Sequence, residues 1–343
     1  MKRDYRADVL RISACVAVVM IHANSFYNAA PGTGEYVAKT VYALLSSFAV
    51  PVFAMLTGML LLDPRKEESI AVIVRRRVLP LLGAWVFWAV VYMVYDSVRL
   101  QQPITLKSAF FSLYSGYFHM WYLYMIMLVY LTLPILRLIM SRREVARWYL
   151  MLWFAVQIIL NTVRAIPYTT KLAVIWQERA YPELVMGFSG YVVLGRYLWE
   201  VRMTRKQEYL LTALGVAGLV LGVGISLFIT WHLKDGFLLA ERFELPAFLF
   251  STGLFCLVMR LLPKGEKEHP ALQRIANRSM DVWLVHMIWL NVLFSLPFFR
   301  ERSLLPGVPL LTAACYLCSL ASMSIGRAAL DMIRRGLKRA SSH

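Results

Sequence analysis

Apolar residues recur along this chain in runs of membrane length, broken by short polar stretches that carry clusters of arginine and lysine. A run of about 18 or more apolar residues predicts a helix able to cross a bilayer. The pattern predicts about ten such spans, near 9–27, 40–62, 78–97, 118–140, 147–165, 183–200, 208–231, 243–262, 279–299 and 308–331. The fold class expected is all-α, a polytopic membrane bundle. The longest loops hold roughly 15–20 residues, so the expected organisation is one membrane domain over 1–335 and a short basic tail at 336–343. Small residues crowd the seventh span (ALGVAGLVLGVG), which permits close helix approach. Pro51, Pro80, Pro134 and Pro246 fall inside or at the ends of spans, where kinks are tolerated.

The basic residues then orient the spans. They gather at the N-terminus (Lys2, Arg3, Arg6, Arg11) and after the second span (Arg65, Lys66, Arg75, Arg76, Arg77). Further groups follow the fourth span (Arg142, Arg143, Arg147), the sixth (Arg202, Arg205, Lys206) and the eighth (Arg260, Lys264, Lys267, Arg274, Arg278). The tail adds Arg334, Arg335, Lys338 and Arg339, whereas the alternate loops hold few, such as Lys39, Lys234 and Arg242. The positive-inside rule therefore puts both termini and every even loop in the cytoplasm, as an even number of spans requires.

Composition agrees: 59% of residues are hydrophobic and 17% charged, with a mean hydropathy of +0.57, which excludes an ordinary soluble domain. The net charge of +17 would suggest nucleic acid if it covered one surface. Scattered in short clusters between spans, it reads as topology signal and lipid contact instead, so no nucleic-acid partner is expected. Cys15, Cys256, Cys315 and Cys318 lie within apolar runs and read as core residues, with no metal site expected. The first apolar region is too long for a cleavable signal.

Candidate chemistry begins in the first span. Arg11 and His22 stand eleven residues apart, about three turns, so they share a face and lie about 16 Å apart along the axis. Ionisable groups inside a span are costly and suggest function. Asp8 precedes Arg11 by three residues and can pair with it across one turn. A second cluster, Arg75, Arg76 and Arg77, suits either topology and lipid headgroups or a polyanion such as a nucleotide phosphate. In SMDVWLVH, Ser279 and His286 are seven residues apart and share a face. His119, Met120, Trp121 and Tyr122 read as an aromatic-belt anchor.

Taken in order, these residues resemble the acyltransferase-3 membrane proteins. The first-helix pattern is carried by Arg6, Leu10, Arg11 and His22, with the family's Arg-x10-His spacing. The second-helix pattern is carried by Ser47, Val50, Pro51, Phe53, Gly58 and Leu60, with Thr57 in place of the usual Ser. Arg77, Leu79 and Pro80 match R-x-L-P. The family's additional arginine before that motif falls at Val74, beside which Arg75 and Arg76 stand. The fourth span matches through Trp121, Tyr122, Leu123, Tyr130, Leu131, Pro134 and Leu136, and the ninth through Ser279, Trp283, Leu284 and His286. The resemblance covers nearly the whole chain.

It implies transfer of an acyl group, usually acetyl, from cytoplasmic acyl-CoA to a hydroxyl of a cell-surface or lipid-linked glycan, in the bacterial cytoplasmic (inner) membrane. Acetyl-CoA enters as the acyl donor and no metal is implied. His22 is expected as general base or transient acyl acceptor, with His286 as a second catalytic candidate. Arg11 and the Arg75–Arg77 cluster are expected to hold the CoA phosphates. The pantetheine arm, on the order of 15 Å, matches the spacing of Arg11 and His22. The competing class is a transporter or flippase of a polar lipid or small solute, against which no inverted repeat is visible.

Overall fold

The computed structural model describes residues 4–66, 68–167, 169–180, 182–263 and 269–340. Among them no strand occurs. The helices are α1 (Tyr5–Phe26), α2 (Gly34–Ser46), α3 (Ala49–Leu61), α4 (Ile70–Leu100), α5 (Leu106–Ser115), α6 (Trp121–Ser141) and α7 (Arg143–Ala165). Then follow α8 (Thr170–Ala180), α9 (Ser189–Glu200), α10 (Arg205–Leu233), α11 (Leu245–Leu261), α12 (Pro270–Asn277), α13 (Ser279–Ser295) and α14 (Leu304–Ala340).

Local signals start and stop these helices. The Asp4 carboxylate accepts from the Arg6 amide at the head of α1, and the Thr33 hydroxyl accepts from Tyr36 at the head of α2. Thr204 and Gln207 form a reciprocal capping box on α10. Pro51 cannot donate to the carbonyl four residues back, at Ser47, and the chain breaks there between α2 and α3. Within α4 the turn widens over Val74–Val78 just before Pro80, and the Leu79 amide reaches back to the Val74 carbonyl.

Seven stretches are long and apolar enough to cross a membrane among the described residues. They are α1, Gly34–Leu61, α4, Leu106–Ser141, α7, α10 and Leu304–Ala329. The chain is thus a multi-pass membrane protein by its helices. The other three expected spans fall on shorter helices, α9, α11 and α13. A helix of 17 residues such as α13 rises only about 26 Å, short of a hydrocarbon core of about 30 Å. Length therefore supports seven spans, and the expected ten would require these three to cross as well. The basic tail expected at 336–343 continues α14 as far as Ala340, and 341–343 lie outside the described residues, as do Lys2, Arg3, Lys264 and Lys267.

The chain divides into two compact units. The first comprises residues 1–53, 158–176 and 202–343. In it α1 packs against α2, α12, α13 and α14, with Leu10, Ala14, Cys15 and Val19 fully buried. Helices α10 and α11 touch backbone to backbone: a Cβ on Gly215 would lie 2.8 Å from the Gly253 Cα. This is the close approach that the small residues of the seventh span predict.

The second unit comprises residues 54–157 and 177–201. Here α3 and α9 cross on a reciprocal pair of glycines. A Cβ on Gly58 would meet the Val192 carbonyl oxygen at 1.7 Å, and one on Gly195 would meet that of Met55 at 2.0 Å. His119 is 1% exposed, packed edge-on against Tyr92 at 5.3 Å, so it is buried among tyrosines and not a belt anchor at the membrane surface.

Gly58→Ala and Gly195→Ala must each force α3 and α9 apart. Each is expected to cost about 1–3 kcal/mol, read as a lower melting temperature of the purified protein. Gly224→Ala, whose added Cβ would meet nothing within 4 Å, serves as the unaffected control.

Candidate active site

The first unit builds a polar seam between three apolar helices, α1, α13 and α14. Two contacts define its register. The Cys15 thiol donates to the Ser279 carbonyl at 3.4 Å, and seven residues further along both helices the rings of His22 and His286 lie 5.2 Å apart. Equal steps in the same sense mean that α1 and α13 run parallel. Two turns bring i and i+7 back to one face, so a single register aligns both pairs.

The third helix completes the seam from the opposite direction. Arg327 donates to Asp281 near the start of α13, whereas the Cys315 thiol donates to the His286 carbonyl at 3.3 Å. The seam is dry and close-packed: Cys15, Cys315 and His286 are all fully buried. His286 Nδ1 lies 2.5 Å from the Trp283 carbonyl, one turn back on its own helix. A carbonyl can only accept, so Nδ1 carries the proton and Nε2 is left with the acceptor lone pair.

Arg11 lies at the other end of the α1 face. Its guanidinium is 3.6 Å from the buried Asp8 carboxylate, as the three-residue spacing predicts. Arg6 is also spoken for: it donates to the Met259 and Leu262 carbonyls at 2.8 and 3.2 Å and so ties α1 to the end of α11.

Near the start of α13 lies a cleft of about 640 Å³ lined by Arg274, Arg278 and Arg327. Arg278 and Arg327 share the single carboxylate of Asp281, so the three guanidiniums keep a net positive charge. Sequence reasoning counted Arg274 and Arg278 only as topology signal and missed Arg327. The detectable signal is the SMDVWLVH pattern itself, whose Asp281 sits three residues after Arg278.

The predicted cluster Arg75, Arg76 and Arg77 belongs to the second unit, on the widened turn of α4. Arg75 and Arg76 are exposed. Arg77 instead donates to Glu68 at 2.8 Å and lies over the Tyr130 ring at 6.0 Å. The other Glu68 oxygen accepts from the buried Arg137 at 2.6 Å. Hydrogen bonds from Arg137 and then from Arg77 hold the Glu68 carboxyl below its usual range. Neither Glu68 nor Arg137 stood out in the sequence, although Arg137 directly follows the span-four motif. A second carboxylate, Asp63, is held down to about 2, first by its hydrogen bond from Arg65, while Arg196 stands 3.6 Å away.

The Glu68 bridge is testable by stability. Arg137→Met leaves Glu68 with one partner, and a loss of about 1–3 kcal/mol is expected. Adding Glu68→Gln should cost less than the sum of the two single changes, because the pair is already broken. Additive losses in thermal denaturation would show the bridge to be energetically idle.

A family model described as an acyltransferase domain, acyltransferase-3, matches residues 4–324. No curated protein and no solved structure matches the chain.

Proposed function

Because the chain belongs to the acyltransferase-3 family, we propose that it transfers an acyl group, acetyl in the simplest case, from acyl-CoA to a hydroxyl of a cell-surface or lipid-linked glycan. The observation that supports this most is the shared register of α1 and α13. It sets two imidazoles against each other two turns from a cleft of three arginines. Arg278 precedes His286 by eight residues, about 12 Å along α13. A pantetheine arm on the order of 15 Å covers that distance. In this reading the CoA phosphates lie in the Arg274, Arg278 and Arg327 cleft, with Arg11 lending charge at the same end of α1. The thioester reaches the two histidines by parting the close-packed seam between α1 and α13.

The substrate hydroxyl then attacks the thioester carbonyl carbon while His22 takes its proton. The C–S bond breaks, and the imidazolium returns the proton to the departing thiolate. His286, protonated on Nδ1 and with its ring 5.2 Å from that of His22, steadies the imidazolium. The alternative, transient acylation of His22 itself, would leave label on the protein when labelled acetyl-CoA is supplied without acceptor. Direct attack leaves none.

Polyanion binding by Arg75, Arg76 and Arg77 is a separate proposal in the second unit, with Arg75 and Arg76 the more available and Arg77 shared with Glu68. The reading takes the protein to reside in the bacterial cytoplasmic membrane with both termini cytoplasmic, on the strength of its positive loops.

The test uses purified protein, labelled acetyl-CoA and candidate glycans. His22→Ala should lower kcat/KM by about 100-fold or more, and His286→Gln by less. Wild-type rates in His22→Ala at matched protein levels would sink the catalytic assignment. Arg11→Ala and Arg278→Ala should raise the KM for acetyl-CoA about tenfold. Unchanged donor affinity in Arg75→Gln with Arg76→Gln would remove that cluster from donor binding.

A further inference from the structure

A second cavity in the first unit lies at the far end of α1 from Arg11, beginning on the turn that carries His22. It measures about 400 Å³, and its walls include Asn24, Ser25, Lys39, Ser47, Glu241 and Arg242. That volume falls within the range of small-molecule sites. Its wall is mixed: Ile21, Ala43, Val50 and Leu238 supply apolar surface, and the polar groups set among them cost free energy unless something answers them.

The cavity is built, not incidental. Its loop wall is pinned at several points: Leu239 donates to the buried Ser226 hydroxyl at 2.9 Å, and Phe237 to the Thr230 hydroxyl at 3.0 Å. The Tyr36 hydroxyl donates to the Phe237 carbonyl at 3.0 Å, and Glu244 accepts from the Glu241 amide at 2.8 Å. On the helix side, Asn24 donates through Nδ2 to the Lys39 carbonyl at 3.0 Å, which aims its amide. Asn24 is 5% exposed, and its Oδ1 accepts no hydrogen bond from any described residue. A buried amide oxygen of this kind calls for a donor.

The charges set the class of ligand. Lys39 already donates to the Tyr27 carbonyl at 2.6 Å, and Arg242 stands 3.8 Å from its neighbour Glu241, so no concentrated positive charge faces the cavity. An anion would meet Glu241 and the Asn24 oxygen, both acceptors. A neutral, hydroxyl-rich ring suits all of them: its O–H groups donate to Asn24 Oδ1 and Glu241, and its oxygens accept from Lys39 and Arg242.

We propose that this cavity is a sugar-binding subsite, and, resting on the acyl-transfer reading, that it presents a hydroxyl of the acceptor to His22. Ser25 donates to the His22 carbonyl at 2.6 Å, so the cavity wall and the proposed base belong to one turn of helix.

The experiment measures sugar binding directly, in nanodiscs free of glycoside detergent, by saturation-transfer NMR. The probes are glucose, galactose, mannose and N-acetylglucosamine, each also as a short alkyl glycoside. Saturation transfer to at least one probe is expected, with an alkyl arm that binds more tightly pointing to a lipid-linked acceptor and equal arms to a free one. Asn24→Ala should weaken binding about tenfold. Glu241→Gln, on the exposed loop and harmless to the fold, should weaken it about threefold. No transfer to any wild-type probe, or equal transfer in wild type, Asn24→Ala and Glu241→Gln, would overturn the subsite. The two readings fail separately. Sugar binding lost in the cavity variants, with no label transferred from acetyl-CoA by the wild type, keeps the subsite and removes the enzyme. Label transferred with binding indifferent to the cavity variants does the reverse.

Discussion

A polar side chain within an apolar helix must find its partner inside the protein, because the lipid around it offers none. That constraint organises both units. Arg6 answers the open carbonyls at the end of α11, Asp8 answers Arg11, and Asp281 is shared between Arg278 and Arg327. In the second unit Glu68 is shared between Arg77 and Arg137, and Arg196 donates to the Met59 carbonyl. Each partnership joins residues from different helices or successive turns. The polar groups therefore specify which helix faces which, while the apolar majority and the glycine crossings supply the close contact.

In the proposed acyl transfer, the seam between α1, α13 and α14 puts the same constraint to chemical use. Packing two histidines at 5.2 Å is sustainable only with both neutral or one proton shared, since two imidazoliums would repel in so dry a place. The Trp283 carbonyl fixes the proton on one of them. In the proposed mechanism the buried pair has little freedom to reorganise while His22 takes its proton, the preorganisation that acid–base catalysis requires.

Much of this was legible in the sequence, and the losses have physical causes. The Arg11 and His22 face followed from helical period alone, as did the pairing of Arg11 with Asp8. The glycine-rich span announced its close crossing. The meeting of His22 with His286 was not legible, because it depends on the register between two helices more than 250 residues apart, which neither helix encodes by itself. Three of the expected spans fall on shorter helices for a more local reason. Hydropathy runs do not see breakers within them: Gly187, with φ 92°, stands before α9, Pro246 lies at the start of α11, and Pro297 follows the end of α13. The Glu68 bridge was hidden because its acid sits in a loop, where spacing carries no periodic signal.

The two cavities of the first unit differ in a way that bears on the proposed transfer. The cleft of Arg274, Arg278 and Arg327 has one carboxylate among three guanidiniums and favours an anion. The cavity of Asn24 and Glu241 is balanced and favours a neutral, hydroxylated guest. The first lies by the start of α13 and the second at the far end of α1, where His22 is about 16 Å along the axis from Arg11 and two residues before Asn24. A soluble acyltransferase can bring donor and acceptor through one opening. A helix bundle with unlike cavities at its two ends has no need to, because a donor arm threaded from one end and a hydroxyl offered from the other meet at a fixed residue without either ligand crossing. In the acyl-transfer reading proposed for this chain, the Arg-x10-His spacing would set how deep the donor reaches, and the far cavity what it meets there.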